Sequence, residues 1–309
     1  MSRKYYRIML GRLSVHAPAC FAGNFIGADD YTGDLTGHLP DDWREFNAWF
    51  IPQFLQRLPE KSRIAAGLAG GFLWGVTKGL HNGDIVICPD GNGTYWAGEI
   101  IGDYQWVAEG VPPHRRPVRW FEHKFDRASM SEDLKNATGF TGPSSEITRF
   151  SEEIDRLIGA APSGPRIVVA DESVEDPVAF AMEKHLEDFL VQNWASTELG
   201  RDFDIYSEEG ERIGQQYATD TGPMDILAIS KDKTQLLVVE LKRGRASDVV
   251  VGQVLRYMGF VMQELAEPHQ SVRGAIIALD GDQRTRRALA AVPNVDFYRY
   301  QVSFKLIRS

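Results

Sequence analysis

The chain has 309 residues, a net charge of −9 from 34 basic and 43 acidic side chains, and two cysteines. That length suits two domains, the acidic balance argues against a protein that coats DNA nonspecifically, and Cys20 and Cys88 make neither a disulfide framework nor a zinc site. No apolar run reaches transmembrane length and the first ten residues lack a signal-peptide core, so the expectation is a cytoplasmic protein with no membrane partner.

Residues 5–10 read as a short strand, and residues 11–40, rich in Gly and Asp, carry little periodic signal. Asp41-Asp42 ahead of Trp43-Arg44-Glu45-Phe46 has the form of a capped helix start with acids in the first turn. Trp43, Phe46, Trp49 or Phe50, and Phe54 recur at helical spacing, an aromatic stripe of the kind that fills a core. Residues 60–80 read as a second helix, whose Ala65, Ala66, Gly67, Ala69, Gly70 and Gly71 allow close packing and which Asn82-Gly83 stops. Its glycines do not follow a strand in a βαβ unit, so no nucleotide-binding loop is read there. Residues 84–88 form a strand, Asp90-Gly91-Asn92-Gly93 a tight turn, and residues 95–106 a strand or pair of strands.

The run KGLHNGDIVICPDGNGTYWAGEIIGDYQW resembles the PUA-like barrels of EVE and related domains, over about residues 5–123. The resemblance implies an α+β barrel that accompanies restriction nucleases and reads modified or flipped bases. Tyr95, Trp96, Tyr104, Trp106 and Trp120 then become candidate stacking residues, because an extruded base is held against aromatic faces. Strand alternation cannot put all of them on one face, so most belong to the core; Trp96 and Trp106 are assigned to nucleic acid.

Residues 124–142 are polar and irregular, and residues 145–158 are amphipathic, with Ile147, Phe150 or Ser151, Ile154 and Leu157-Ile158 on one helical stripe. Ala160-Ala161-Pro162-Ser163-Gly164-Pro165 has linker composition. The organisation read from this is a recognition domain over 1–125, a helical connection over 126–171 and a second domain over 172–309. Asp176-Pro177 opens a helix, with Asp as cap and Pro at its first position. Its apolar positions include Phe180, Leu186, Phe189, Leu190 and Trp194, and Glu183 and Glu187 lie one turn apart on the same side.

The densest chemistry lies in GPMDILAISKDKTQLLVVELK, residues 222–242. Two apolar runs, 224–229 and 236–241, flank a polar turn over 230–234 and read as a buried hairpin. With Asp232 and Lys233 at the tip, Asp225 faces Glu240, and alternation puts Glu240 and Lys242 on one face. An isolated E-x-K on a strand is ordinarily a surface ion pair; the added Asp and the buried hairpin turn it into a site. Two carboxylates suit Mg²⁺, with Mn²⁺ a possible substitute. Lys242 can orient a metal-activated water, and its charge matches a phosphodiester. Arg243 and Arg245 cluster beside it as phosphate contacts; Arg284, Arg286 and Arg287 form a second basic group.

Asp225 followed by Glu240-Leu241-Lys242 resembles the PD-(D/E)XK nuclease signature, with Met224 where Pro often precedes the Asp. QQYATDTGPMDILAIS and LLVVELKRGRASDVVVGQVLRYMGF are similar to the nuclease domain of NucS/EndoMS-type endonucleases, over about residues 176–279. The resemblance implies a metal site of Asp225, Glu240 and the Leu241 carbonyl, joined by a first-helix glutamate for which Glu187 in HLEDFL is the best match. It implies further that Gln253 contacts the site, and that Arg256 and Tyr257 hold substrate or architecture. Asp248 caps a helix running to about residue 265. Residues 272–279 form a buried strand, 282–291 a helix and 295–307 a last strand or hairpin, so a mixed sheet flanked by helices follows.

The sequence thus reads as an α/β, metal-dependent DNA endonuclease. It is expected to be a modification-dependent restriction enzyme whose barrel tests a base in double-stranded DNA. The alternative is a mismatch-, flap- or branch-specific repair nuclease, and a dead nuclease fold that only binds is a third reading, opposed by the intact Asp, Glu and Lys. Cutting two strands with one site each favours a homodimer.

Overall fold

The apolar runs of the sequence become strands of two separate sheets, one in each of the units into which the chain divides, Met1–Val169 and Ala170–Ser309. The computed structural model describes residues 3–40, 42–139, 142–159 and 186–301.

In the first unit the strands are β1 (Tyr5–Ile8), β2 (Phe25–Ala28), β3 (Ile85–Pro89), β4 (Thr94–Ile100), β5 (Gln105–Trp106), β6 (His114–Trp120), β7 (Phe125–Asp126) and β8 (Ser144–Glu146). They run in the order β2-β6-β4-β3-β1-β8, with β5 added to β6 and β7 to β4. β1 and β3 pair in parallel and the other neighbours antiparallel, giving a curled, barrel-like mixed sheet. The helices are α1 (Ala17–Gly23), α2 (Trp43–Arg57), α3 (Arg63–Trp74), α4 (Glu132–Thr138) and α5 (Ser151–Leu157). Asp42 caps α2 through the amides of Arg44 and Glu45, and the aromatic stripe of that helix is core: Phe46 and Phe50 are fully buried.

Three local expectations change here. Residues 11–40 are not featureless: α1, with Pro18 in its first turn and Asn24 left-handed at its end, and β2 both lie there. These elements are too short to show a period; tertiary burial of Cys20 and Ile26 holds them. The polar stretch 124–142 contains α4, capped by Ser131. The amphipathic stretch 145–158 is a helix only from Ser151; its start is β8, paired with β1 through Tyr6↔Glu146 and Arg7↔Ser145. Met130, Leu134, Ile147, Ile154 and Ile158 all belong to one core with Tyr5, Ile85 and Phe125, so the described part of the expected connection packs inside this unit. The linker at 160–165 lies outside the described residues, as does Asp176-Pro177.

In the second unit a helix, α6, covers residues 186–192, followed by α7 (Leu199–Asp202), β9 (Phe203–Ile205), β10 (Gln215–Tyr217), β11 (Met224–Ser230), β12 (Gln235–Ala246), α8 (Asp248–Phe260), β13 (Ser271–Gly281), α9 (Gln283–Ala290) and β14 (Val295–Arg299). The sheet order is β10-β11-β12-β13-β14, with β9 on β11. β10, β11 and β12 are antiparallel; β12, β13 and β14 are parallel, joined through α8 and α9 as parallel neighbours require. Asp248 is the first helical residue of α8 rather than its cap, which is Ser247. The core gathers Trp194, Ile226, Val239, Leu241 and Ala275.

Candidate active site

The β11–β12 hairpin has the register that its apolar pattern demands. Ile226↔Val239, Leu227↔Val238, Ala228↔Leu237 and Ile229↔Leu236 pair, and Asp232 and Lys233 occupy the tip. Continued by one residue, that register sets Asp225 against Glu240. Slippage by one residue would exchange the two faces of β12 and drive Glu240 and Lys242 into the core that Leu237, Val239 and Leu241 fill, so packing fixes it. β12 runs beyond Leu241 to Ala246 because β13 continues alongside, with a register shift between Lys242 and Arg245.

At the open end of this hairpin the acids are held by named donors. Asp225 accepts from the Leu241 amide through Oδ2 at 2.8 Å and from the Gln216 side chain through Oδ1 at 3.1 Å. Glu240 is 2% exposed, with Oε1 3.4 Å from the Lys242 ammonium. A buried charge is tolerated only when paired and hydrogen-bonded, and Lys242 shares the face that alternation assigned to it. Glu187, on α6, is 3% exposed and accepts from two consecutive amides, Gln215 at 2.7 Å and Gln216 at 2.5 Å. Gln216 therefore links Glu187 to Asp225.

Behind the hairpin, Tyr257 on α8 donates to the Pro223 carbonyl at 2.9 Å and meets the Gln253 amide at 3.5 Å. Its phenol is pushed up to about 12 by burial, opposed by the Gln253 hydrogen bond and reinforced by the charges of Glu240 and Asp225. Tyr257 is thus a protonated donor that pins the backbone two residues before Asp225. Gly222, at φ +116, leaves room beside it: a Cβ there would lie 3.6 Å from the hydroxyl. Arg256, one residue earlier, is exposed.

Arg243 is half-buried, and its carbonyl accepts from the Tyr300 hydroxyl. Arg245 is exposed and shares Asp280 with Arg286, at 3.9 and 3.6 Å. A cavity of about 350 Å³ at the carboxyl ends of β13 and β14 is lined by Asp280, Thr285, Arg286, Leu289, Phe297 and Arg299. Arg286, from the second basic group of the sequence, thus lies beside Asp280 with Arg245.

In the N-terminal unit, Trp96 stacks on Phe21 at 4.2 Å, and the Lys124 ammonium lies 3.6 Å from its ring centre. A base stacking on Trp96 would have to displace one of them. Trp106 is half-buried, and among the described residues its ring partner is His114, at 4.7 Å across β5–β6. His114 is fully buried, with Nδ1 3.0 Å from the Tyr104 hydroxyl.

Residues 182–301 match the family profile described as the endonuclease NucS C-terminal domain. The C-terminal unit is NucS-like. Residues 61–144 match a domain of unknown function (DUF8426). No curated protein matches the chain. Among solved structures, an EndoMS–dsDNA complex is 16% identical at a TM-score of 0.32, covering 68% of this chain and 62% of that one. A repair endonuclease from Pyrococcus abyssi is 14% identical at 0.31, covering 69% and 66%. EndoMS in apo form is 15% identical at 0.30, covering 68% and 62%. The chain thus spans less than two thirds of each of those chains.

A nuclease domain of this kind implies a divalent metal, and the donor set can be tested against one. Among the described residues no group of three or more His, Cys, Asp or Glu side chains gathers as a metal cluster. The hairpin instead offers the carboxylates of Asp225 and Glu240, both oxygen donors. That fits Mg²⁺, which takes one or two carboxylates and keeps waters for substrate phosphate; it does not fit a soft metal. Glu187 stands one amide away.

Sequence reasoning missed three groups that hold the acids and their strand in place. Gln215 and Gln216 were visible only as residues preceding the Asp strand, and the Pro223 carbonyl gives no side-chain signal. Paired amides one strand ahead of a candidate metal-binding acid are the pattern that could have flagged Gln215 and Gln216.

Proposed function

We propose that this protein is a divalent-metal-dependent DNA endonuclease that hydrolyses phosphodiester bonds in double-stranded DNA, with catalysis in the C-terminal unit and target selection in the N-terminal one. The observation that carries the reading is the hairpin: a buried Glu240 beside Lys242, opposite an Asp225 oriented by two donors. Asp225, Glu240 and the Leu241 carbonyl would hold Mg²⁺ or Mn²⁺, which when bound supplies a Lewis acid at the phosphate and a water of lowered pKa. Lys242 places its ammonium beside the attacked phosphorus and stabilises charge developing on the phosphoryl oxygens. Tyr257 and Gln253 keep the strand entry fixed, so Asp225 need not reorganise during the reaction. Arg243, Arg245 and Arg256 contact flanking phosphates, with Arg286 extending the path.

The selection step is read as recognition of a modified base, with Trp106 the foremost stacking residue and Trp96 the second. A specific observation favours another target: the matched family profile is that of NucS, which supports mismatch- or structure-specific repair. A two-fold homodimer would give each DNA strand one site. The deciding experiment is cleavage of matched duplexes that are plain, methylated, hydroxymethylated, mismatched or flapped, with Mg²⁺, with Mn²⁺ and with EDTA. Metal-dependent cutting of modified duplexes alone supports restriction; cutting of mismatched or flapped duplexes alone supports repair. No cutting of any duplex with either metal overturns the enzyme.

A further inference from the structure

Gln215 and Gln216 are neighbours on β10, which pairs with β11 through Gln215↔Ile226 and Tyr217↔Met224. Successive side chains of a strand point to opposite faces. Gln215 and Tyr217 should share one face and Gln216 the other, yet both amides reach the same carboxylate, one on each oxygen of Glu187. The backbone allows this by leaving strand geometry at one residue: Gln216 sits at φ +51, a left-handed conformation that non-glycine residues seldom adopt.

A strained φ persists where the surroundings over-determine it, and such residues cluster at functional sites. The turn at Gln216 gives its amide a second partner. A carboxamide nitrogen carries two donors and a carboxylate only accepts. Gln216 Nε2 divides its donors between Glu187 Oε2 at 2.5 Å and Asp225 Oδ1 at 3.1 Å. The Gln215 side chain satisfies Glu187 and Asp188 but, among the described residues, no side chain of the hairpin.

We propose, on the basis of the nuclease reading above, that Gln216 is a positioning residue: its amide bridges Glu187 on α6 to Asp225 on β11 and sets both carboxylates for the metal. A role limited to satisfying a buried Glu187 would make the two glutamines equivalent. A positioning role makes Gln216 the more important, because of the two glutamines it is the one whose amide touches Asp225.

The test measures Mn²⁺ binding to the full chain without DNA, by calorimetry and by the electron paramagnetic resonance signal of free Mn²⁺, together with kcat and KM for duplex cleavage. Gln216→Gly accepts the left-handed backbone and removes the bridge. It should melt within a few degrees of wild type while weakening Mn²⁺ at least tenfold and lowering kcat without raising the KM for DNA. Gln215→Ala should weaken Mn²⁺ less than threefold. Gln216→Asn tolerates the same backbone but is one methylene too short to span both acids, so its Mn²⁺ affinity should fall between; it decides the matter if the glycine variant does not fold. Glu240→Gln separates the two levels of the claim. Wild-type-like Mn²⁺ binding in the Gln216 variants, alongside its loss in Glu240→Gln, overturns the bridge and leaves the nuclease reading standing. Wild type that binds no Mn²⁺, or binding that survives Glu240→Gln, overturns both.

Discussion

Each unit buries charged side chains, and the two treat them differently. In the N-terminal unit the buried carboxylate Asp84 accepts from the backbone amides of Lys4 and His81, and the buried cations are Arg7 and Arg116. Arg7 donates to the Gly142 carbonyl, and Arg116 to the carbonyls of Gly102, Val76 and Thr77. Their partners are backbone, and their work is to satisfy loop and helix-end carbonyls that would otherwise be orphaned. In the C-terminal unit the buried charges Glu187 and Glu240 are anions whose partners are side chains: Gln215, Gln216 and Lys242. A cation closed off by carbonyls is architecture. Carboxylates gathered by neutral amides and one ammonium remain able to exchange those partners for a cation, which is what a metal-dependent site needs.

The comparison is broken most sharply at Lys242. If the C-terminal charges are chemistry rather than architecture, Lys242→Ala should stay folded with a melting temperature lowered by the loss of Glu240's partner, and keep its DNA affinity within a fewfold. Its single-turnover cleavage should slow by about 10²-fold, the usual loss on removing one transition-state donor. Cleavage at the wild-type rate would make the residue a structural counter-ion to Glu240. The sequence carried this part of the site because the period of two, applied to E-L-K, assigns faces without further information. It could not show Gln216, whose reach across the strand depends on a left-handed backbone that no side-chain pattern encodes.

The N-terminal unit supplies the converse test at His114. Burial pushes this imidazole down to about 4, with Asp30 and Asp34 opposing the shift. The folded state holds the neutral ring, so below the unfolded value of about 6.5 the unfolded chain takes up the proton first. Stability from this group is complete above pH 6.5 and falls as the pH drops toward 4, by about 3 kcal/mol. Urea unfolding of wild type and His114→Gln across that range should show a steeper loss of stability in wild type, the difference between the two curves being the contribution of His114. Equal slopes would mean that folding leaves the proton affinity of His114 unchanged, and a shallower slope in wild type would mean that His114 is charged and ion-paired with Asp30.

The smallest effect separates the two tryptophans. Trp106→Ala should leave cleavage of the least preferred duplex unchanged and reduce discrimination between duplexes about fivefold, one stacking contact being worth ~1 kcal/mol or more. Trp96→Ala, which strips a ring packed between Phe21 and Lys124, should lower the melting temperature and leave discrimination intact in the folded fraction. The reverse outcome would exchange their roles. Composition offered both rings equally; only the cross-strand pairing of Trp106 with His114 and the stacking of Trp96 on Phe21 distinguish them. The short elements of this unit were hidden for a related reason. α1 and β2 span too few residues to display a period, whereas the strands of the hairpin are continuous apolar runs bounded by a polar turn.

The central claim is that the hairpin acids hold a metal that cuts DNA, and Glu240→Gln addresses it with almost no change in side-chain size. Calorimetric titration with Mn²⁺ and a duplex-cleavage time course on the same preparation should show a folded variant that no longer binds the ion and cuts at least 10³-fold more slowly. A folded Glu240→Gln protein that binds Mn²⁺ and cuts like wild type would contradict the account.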